Sequence, residues 1–348
     1  MRELAREILA GEEAWVVGGA VRDELLGREL VDLDVATREP RGAARAYAKR
    51  SGGAPFPLSE RHGAWRVALA GGRTVDFTPL EGSIEDDLAT RDFTINAIAV
   101  PLAGGEPSDP YGGRADLQAK IIRAVSPAVF GDDPLRLLRA VRLEDELGFR
   151  MEPETERLVR QHAQRVAEPA RERTLAELVR LSVDGYRRAD EVGLLAPLGG
   201  SSAGLARPEL VDRPAFRLVV VFGHALRRFP VSNETKRYTR ALLRAEAPED
   251  GSPRAIYRFR RATEPWALDA LAFVGASEHA GAVRQAQENE PSEPLLRGDE
   301  IIELGVPVGP EIGRLLELVS EERAAGTIST REDALELVRR NLERADSK

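Results

Sequence analysis

Cysteine is absent from the 348 residues, which excludes a disulfide framework and any thiolate zinc site. Histidine is scarce: His62, His162, His224 and His279 are well scattered, and no histidine-based metal cluster is expected. Lysine occurs only at Lys49, Lys120, Lys236 and Lys348, so arginine carries almost all the positive charge. Arginine suits bidentate phosphate and base-edge contacts, although a GC-rich genome gives the same bias. No apolar run is long enough to span a bilayer. The start, Met1-Arg-Glu-Leu-Ala-Arg-Glu-Ile8, is amphipathic and charged, unlike a signal peptide, so a cytoplasmic location with no membrane partner is expected. The net charge of −8 does not suggest a general nucleic-acid binder, but a global sum hides local distribution.

What is present is enough for a sizeable core and two or three domains: 42% hydrophobic and 31% charged residues, as in soluble globular proteins. The stretch from Trp15 to Val35 carries the first chemical signal. A short apolar run ends in Gly18-Gly19, a helical segment opens directly after it, and a second strand carries Asp32 and Asp34. Strand side chains alternate faces, so the two carboxylates stand together while Val31, Leu33 and Val35 turn the other way. Neighbouring carboxylates repel and raise each other's pKa unless a cation lies between them, and a hard divalent ion such as Mg²⁺ suits that role. Glycines at a helix N-terminus offer backbone N–H groups to phosphate. Phosphate together with magnesium points to nucleotide chemistry.

Along the chain, residues 2–10 read as a helix, 15–17 as a strand, 20–26 as a helix, 30–36 as a strand and 41–51 as a helix. Strands are expected at 65–70 and 74–78, joined by a Gly71-Gly72 hairpin turn, the second placing Asp76 on a small sheet. Ser83 with Asp86 three residues later is a weak capping box opening a helix. The first 125 or so residues thus read as α+β, with helices packed on a small mixed sheet. After Asp132 strand signals almost vanish. An amphipathic helix is expected over 133–147, closed by Gly148, with further helices at 153–166 and 171–183. Gly/Ser/Pro-rich residues 197–204 and the polar stretch 287–294 read as linkers between further helical segments.

Four motifs occur in order: Gly18-Gly19-Ala-Val-Arg22-Asp23, Asp32-Leu-Asp34, Arg91-Asp92-Phe-Thr-Ile-Asn-Ala, and Asp132-Asp133-Pro-Leu-Arg136-Leu-Leu-Arg139-Ala-Val-Arg142. Together they resemble the class II tRNA nucleotidyltransferase and bacterial poly(A) polymerase family of the polymerase β superfamily. The resemblance covers residues 15–180 well and returns at Gly298–Gly313, which is similar to the C-terminal element of bacterial members. It implies a nucleotidyltransferase head (1–127), a helical neck that recognises the base (128–200), a helical RNA-binding body (205–290) and a helical tail (291–348). The expected fold is therefore an α+β head followed by an all-α neck, body and tail.

The resemblance implies template-independent addition of C or A nucleotides, from CTP and ATP, to the 3′ end of tRNA. Asp32 and Asp34 would hold two Mg²⁺ ions, one activating the RNA 3′-hydroxyl and one steadying the leaving pyrophosphate, with Asp76 as a third carboxylate of the site. Gly18, Gly19 and Arg22 would hold the triphosphate, with Asp23 orienting Arg22, and Arg91 and Asp92 would contact ribose and phosphates. Asp133 and Arg136 would form a protein template, an acceptor and a forked donor facing the base edge, with Arg139 and Arg142 lining the same pocket. A carbonyl of U or G facing Asp133 would leave a mispaired polar group, at a cost of about 1–3 kcal/mol.

The chain departs from the family pattern at Thr90, where an arginine is usual, and at Asp132, where Glu is usual. The segment between Asp76 and Arg91 is also short. CCA-adding members carry a longer flexible loop there that helps switch from C to A, and shortened versions resemble specialised CC-adding enzymes. No His-Asp pair supports an HD phosphohydrolase domain. The basic stretch 227–261, with Arg258, Arg260 and Arg261 among its arginines, reads either as a surface for RNA phosphates or as a solvated helix face. A poly(A) polymerase, or a catalytically degenerate RNA-binding relative, are the alternatives; oligomeric state is not legible.

Overall fold

A computed structural model of the chain describes residues 1–59, 63–207 and 209–346; His62 and Lys348 lie outside the described residues. The chain divides into two compact units, 1–199 and 200–348.

Unit 1 is built on a six-stranded sheet: β1 (Ala14–Val17), β2 (Asp32–Thr37), β3 (Ala54–Ser59), β4 (Ala64–Ala68), β5 (Thr74–Pro79) and β6 (Ala99–Pro101). The spatial order is β3-β4-β5-β2-β1-β6, with β2 and β5 parallel and every other pair antiparallel. The mixed sheet expected from sequence is present, with two strands that periodicity does not signal. β3 contains Pro55 and Pro57, which read as strand breakers. It is the outermost strand, where a missing N–H leaves no central ladder bond unmade. β6 is only three residues long and ends on Pro101 at the opposite edge.

The helices of this unit that bear on the site are α1 (Arg2–Ile8), α2 (Gly19–Leu25), α3 (Pro40–Ser51), α4 (Ile84–Ala89), α5 (Gly113–Ala119), α6 (Val129–Asp132), α7 (Arg136–Leu147), α8 (Pro153–His162) and α9 (Arg171–Leu178). One sheet face is covered by α3, with Tyr47 packed on Phe77 at a ring separation of 5.8 Å. On the other face Val17, Ala36 and Ala99 pack with Ile84 and Leu88 of α4 in a buried cluster. Gly148 ends α7 in the left-handed region, at φ 66°, as a C-terminal glycine should.

One helix boundary differs from expectation. Asp133 lies outside α7, in extended conformation (φ −142°, ψ 99°) between α6 and α7. Pro134 is the reason, because a proline disfavours helical geometry at the residue before it. Asp133 instead accepts from the Leu135 N–H at 3.1 Å, in a turn that leads into α7. The helices expected at 153–166 and 171–183 are shorter, α8 passing into a 3₁₀ turn at Ala163–Ala167 and α9 ending at Leu178.

Unit 2 is helical. Its Asn233–Arg244 helix buries Tyr238 and Leu242, and its Pro253–Thr263 helix buries Ile256 and Phe259. Leu296, Ile301, Leu315, Val319, Ala334 and Val338 close a separate small core in the C-terminal helices.

Candidate active site

The sheet register brings the acids together. Asp34 lies opposite Asp76 across the parallel β2–β5 pair, and Asp32 lies opposite Thr74. Thr74 Oγ1 donates to Asp32 Oδ1 at 2.7 Å. Asp76 is taken up by a different partner: Arg66, opposite it on β4, donates from Nε and Nη2 to its two carboxylate oxygens, both at 2.7 Å. Sequence alternation finds the acids but not Arg66, because the pairing depends on which strand lies beside β5.

Asp34 is left with negative charge and little compensation. Burial, then the Asp76 carboxylate, push its pKa up to about 6, with Asp32 adding to the rise and Arg91 and Arg66 opposing it. Gly18 closes the site from the β1 side. Its φ of 68° favours glycine, and a Cβ there would stand 3.3 Å from Arg91 Nη1 and 3.4 Å from Asp34 Oδ2. Gly18, Asp34 and Arg91, which sequence joins only by motif order, therefore share one small volume. Arg91 itself is oriented by Asp87, which accepts from its Nη2 at 2.6 Å.

Among the described residues no group of three or more His or acidic side chains stands together as a metal cage. With Arg66 occupying Asp76, the available donors are the carboxylates of Asp32 and Asp34. Two carboxylates completed by water and substrate phosphate oxygens form a donor set that suits Mg²⁺.

Next to this centre runs a continuous line of paired side chains. Arg22 is buried in the last turn of α2, donating from Nε and Nη2 to Asp23 (3.0 and 2.9 Å) and from Nη1 to Asn96 Oδ1 at 2.8 Å. Asn96 Nδ2 donates to Asp92 Oδ1 at 2.9 Å, and Arg139 of α7 donates from Nε to Asp92 Oδ2 at 2.8 Å. Arg139 also faces Glu177 of α9 at 3.6 Å, and Arg142 donates to Glu177 and Glu146, each at 2.5 Å. Burial acts to raise the Asp92 pKa, but Arg139, Asn96 and the Phe93 N–H together bring it below the usual range. Asp92 is therefore ionised and fixed, and it ties the Arg91–Asn96 segment to α7. The Arg22–Asn96 and Arg142–Glu177 pairs span 74 and 35 residues and leave no local signal in the sequence, whereas Glu146 meets Arg142 at the i,i+4 spacing of one helix.

Asp133 and Arg136 stand close in the chain but are engaged differently. Arg173 of α9 donates to Asp133 Oδ2 at 2.7 Å, and Arg136 Nη2 donates to the Thr90 carbonyl at 2.7 Å. Gly19 packs against Arg22, whose Nη2 would lie 3.5 Å from a Cβ there. The candidate site residues thus all lie in unit 1. Gly18, Asp32, Asp34, Asp76 and Arg91 surround the acidic centre. Gly19, Arg22, Asp92, Arg139 and Arg142 belong to the paired line beside it. Asp133 and Arg136 lie at the turn into α7.

A glycine-fronted helix beside paired strand carboxylates on a small mixed sheet, followed by helices, defines a nucleotidyltransferase. The family model that matches is the Poly A polymerase head domain, over residues 14–80 and 59–123. An A-adding tRNA nucleotidyltransferase of Deinococcus radiodurans is 32% identical, over 94% of this chain and 95% of that enzyme. A CC-adding tRNA nucleotidyltransferase of Thermus thermophilus is also 32% identical, over 93% and 92%. The Bacillus stearothermophilus CCA-adding enzyme in complex with CTP superposes with a TM-score of 0.75 at 27% identity, over 99% of each chain. The chain belongs to the tRNA nucleotidyltransferase family. No helix of the described residues is long and apolar enough to cross a membrane.

Proposed function

We propose that this enzyme adds C nucleotides, from CTP, to the 3′ end of tRNA, with Asp32 and Asp34 holding Mg²⁺ and with ATP used poorly or not at all. The observation that carries the nucleotidyl-transfer reading is the convergence of Gly18, Asp34 and Arg91 in one small volume. Bound Mg²⁺ would neutralise triphosphate charge and acidify the attacking 3′-hydroxyl. Gly18 and the α2 N-terminus offer N–H groups to the triphosphate, and Arg91 offers its Nη1 edge. Arg22, Asp92, Arg139 and Arg142 act through the buried line that fixes α2 against α7. Asp133 and Arg136, at the turn into α7, would read the exocyclic amine and ring acceptor of the base, with Arg173 holding Asp133. Asp76, paired with Arg66 and opposite Asp34, is the third carboxylate of the centre and raises the Asp34 pKa.

The restriction to C rests on the connection from β5 to α4, which is only Leu80–Ser83. Arg38 donates to the Leu80 carbonyl at 2.9 Å and the Gly82 carbonyl at 2.8 Å, and Ser83 and Asp86 form a reciprocal capping box. A loop this short and held by Arg38 and the capping box supports a site specialised for C. The test offers tRNA transcripts ending at the discriminator base, at C and at CC, with CTP and ATP singly and together, and sequences the 3′ ends. Two C additions with no A support the reading; addition of all three nucleotides refutes it, and long A tails would indicate poly(A) synthesis.

For RNA contact in unit 2 the observations favour one part of the basic stretch. Arg254 pairs with Glu322, Arg258 with Glu321 and Arg261 with Glu317, at 2.6–2.9 Å, joining the Pro253–Thr263 and Pro310–Ala324 helices, and Arg260 pairs with Glu264 and Glu290. Lys236, Arg237, Arg240 and Arg244 are exposed and form no ion pair among the described residues. At 100° per residue they fall within one arc opposite Tyr238 and Leu242, a basic stripe that suits RNA phosphates. We assign tRNA contact to that stripe.

A further inference from the structure

We propose that Phe56, on the outer strand of the catalytic sheet, is the platform on which a base of the RNA's 3′-terminal dinucleotide stacks. The proposal rests on the reading that nucleotide and metal meet at Gly18, Asp32, Asp34 and Arg91. Directly opposed residues in a sheet point to the same face, and the registers place Phe56 opposite Arg66, Arg66 opposite Asp76, and Asp76 opposite Asp34. Phe56, Arg66, Asp76 and Asp34 therefore form one row across four strands, on the face away from α3. Three strand spacings separate Phe56 from Asp34, about 14 Å between Cα atoms.

The two flanks of Asp34 differ in what they offer. On the β1 side stand Gly18 and Arg91, which meet the triphosphate. An in-line displacement needs the attacking 3′-oxygen on the opposite side of the phosphorus from the leaving pyrophosphate. The other flank is the β5–β4–β3 end of the row. There Asp76 is ion-paired with Arg66, so an approaching strand meets a guanidinium plane as well as a carboxylate. Beyond that pair Phe56 is 42% exposed, an apolar ring at the outer end of the catalytic row. Aromatic faces and guanidinium planes are the surfaces on which single-stranded bases stack without sequence preference.

The test uses tRNA transcripts ending at the discriminator base, with 2-aminopurine at the last or the penultimate position, bound to the full chain without nucleotide. The bound probe in one of the two positions should be more strongly quenched by the wild-type protein than by Phe56→Ala, with Phe56→Trp restoring the quenching. Phe56→Leu keeps apolar bulk without an aromatic face and should behave like alanine. In turnover Phe56→Ala should raise KM for tRNA about tenfold, the loss of one base stack, leaving KM for CTP unchanged. Equal quenching by wild type and Phe56→Ala at both positions, or full rescue by leucine, overturns the platform. Failure of the wild type to incorporate nucleotide would overturn the underlying reading instead, and the fluorescence arms need no turnover.

Discussion

Replacing Asp34 by asparagine should stabilise the metal-free protein while abolishing nucleotide incorporation. The folded-state pKa of Asp34 lies at about 6, against 3.8 for an ordinary aspartate. Below 3.8 the carboxyl is protonated in folded and unfolded chains alike and no penalty exists. As pH rises from about 4 to about 6 the unfolded chain ionises first, so the folded state loses stability across that window, and the full penalty applies above it. A rise of this size corresponds to roughly 3 kcal/mol at neutral pH. Asp34 accepts no hydrogen bond among the described residues, so asparagine removes the charge without orphaning a donor. For a unit of this size roughly 3 kcal/mol is a rise in Tm of about 6–12 °C. Thermal unfolding in EDTA should therefore show Asp34→Asn above wild type at pH 7.5 and the difference shrinking toward pH 4. Added Mg²⁺ should raise the wild-type Tm and leave the variant nearly unmoved. A variant that melts at or below wild type in EDTA at pH 7.5 would refute the electrostatic reasoning.

Three further outcomes are expected. Glu177→Ala leaves Arg142 buried and half-paired, and should cost about 3–5 kcal/mol in denaturant unfolding, whereas Glu154→Ala, which breaks the exposed pair with Arg157, should leave the unfolding midpoint nearly unmoved. Neutralising Lys236, Arg237, Arg240 and Arg244 should weaken tRNA binding and reduce the slope of log K against log salt by about 0.7–0.9 for each phosphate no longer neutralised, while neutralising Arg258 and Arg261 should leave that slope unchanged. Arg38→Ala releases the Leu80 and Gly82 carbonyls, and should raise misincorporation of AMP onto tRNA ending in CC, read by 3′-end sequencing.

Local chemistry writes much of the site into the sequence. Alternation places Asp32 and Asp34 on one face of β2, the glycine pair marks the start of α2, and Ser83 with Asp86 marks the start of α4. What sequence does not carry is pairing across distance. Arg66 reaches Asp76 because β4 lies beside β5, Asn96 joins Arg22 to Asp92 across more than seventy residues, and Arg173 and Glu177 reach toward α7 from α9. None of these leaves a periodic trace. Pro55 and Pro57 conceal β3 because proline is compatible with a strand only at an edge, and edge position is a property of the finished sheet. Pro134 has the opposite effect: its presence signals that Asp133 leaves the helix, and the amphipathic pattern through 133–147 masks it. The basic run 227–261 splits for the same reason of distance, since the glutamates that neutralise its second half lie some sixty residues later.

The most direct measurement is single-turnover incorporation on a tRNA transcript ending at the discriminator base, with CTP and ATP both present and Mg²⁺ supplied. Wild type should add two C residues and stop, and Asp32→Ala and Asp34→Ala should add none while binding the transcript as tightly as wild type. Incorporation that survives loss of both carboxylates would contradict the assignment of the catalytic centre to β2.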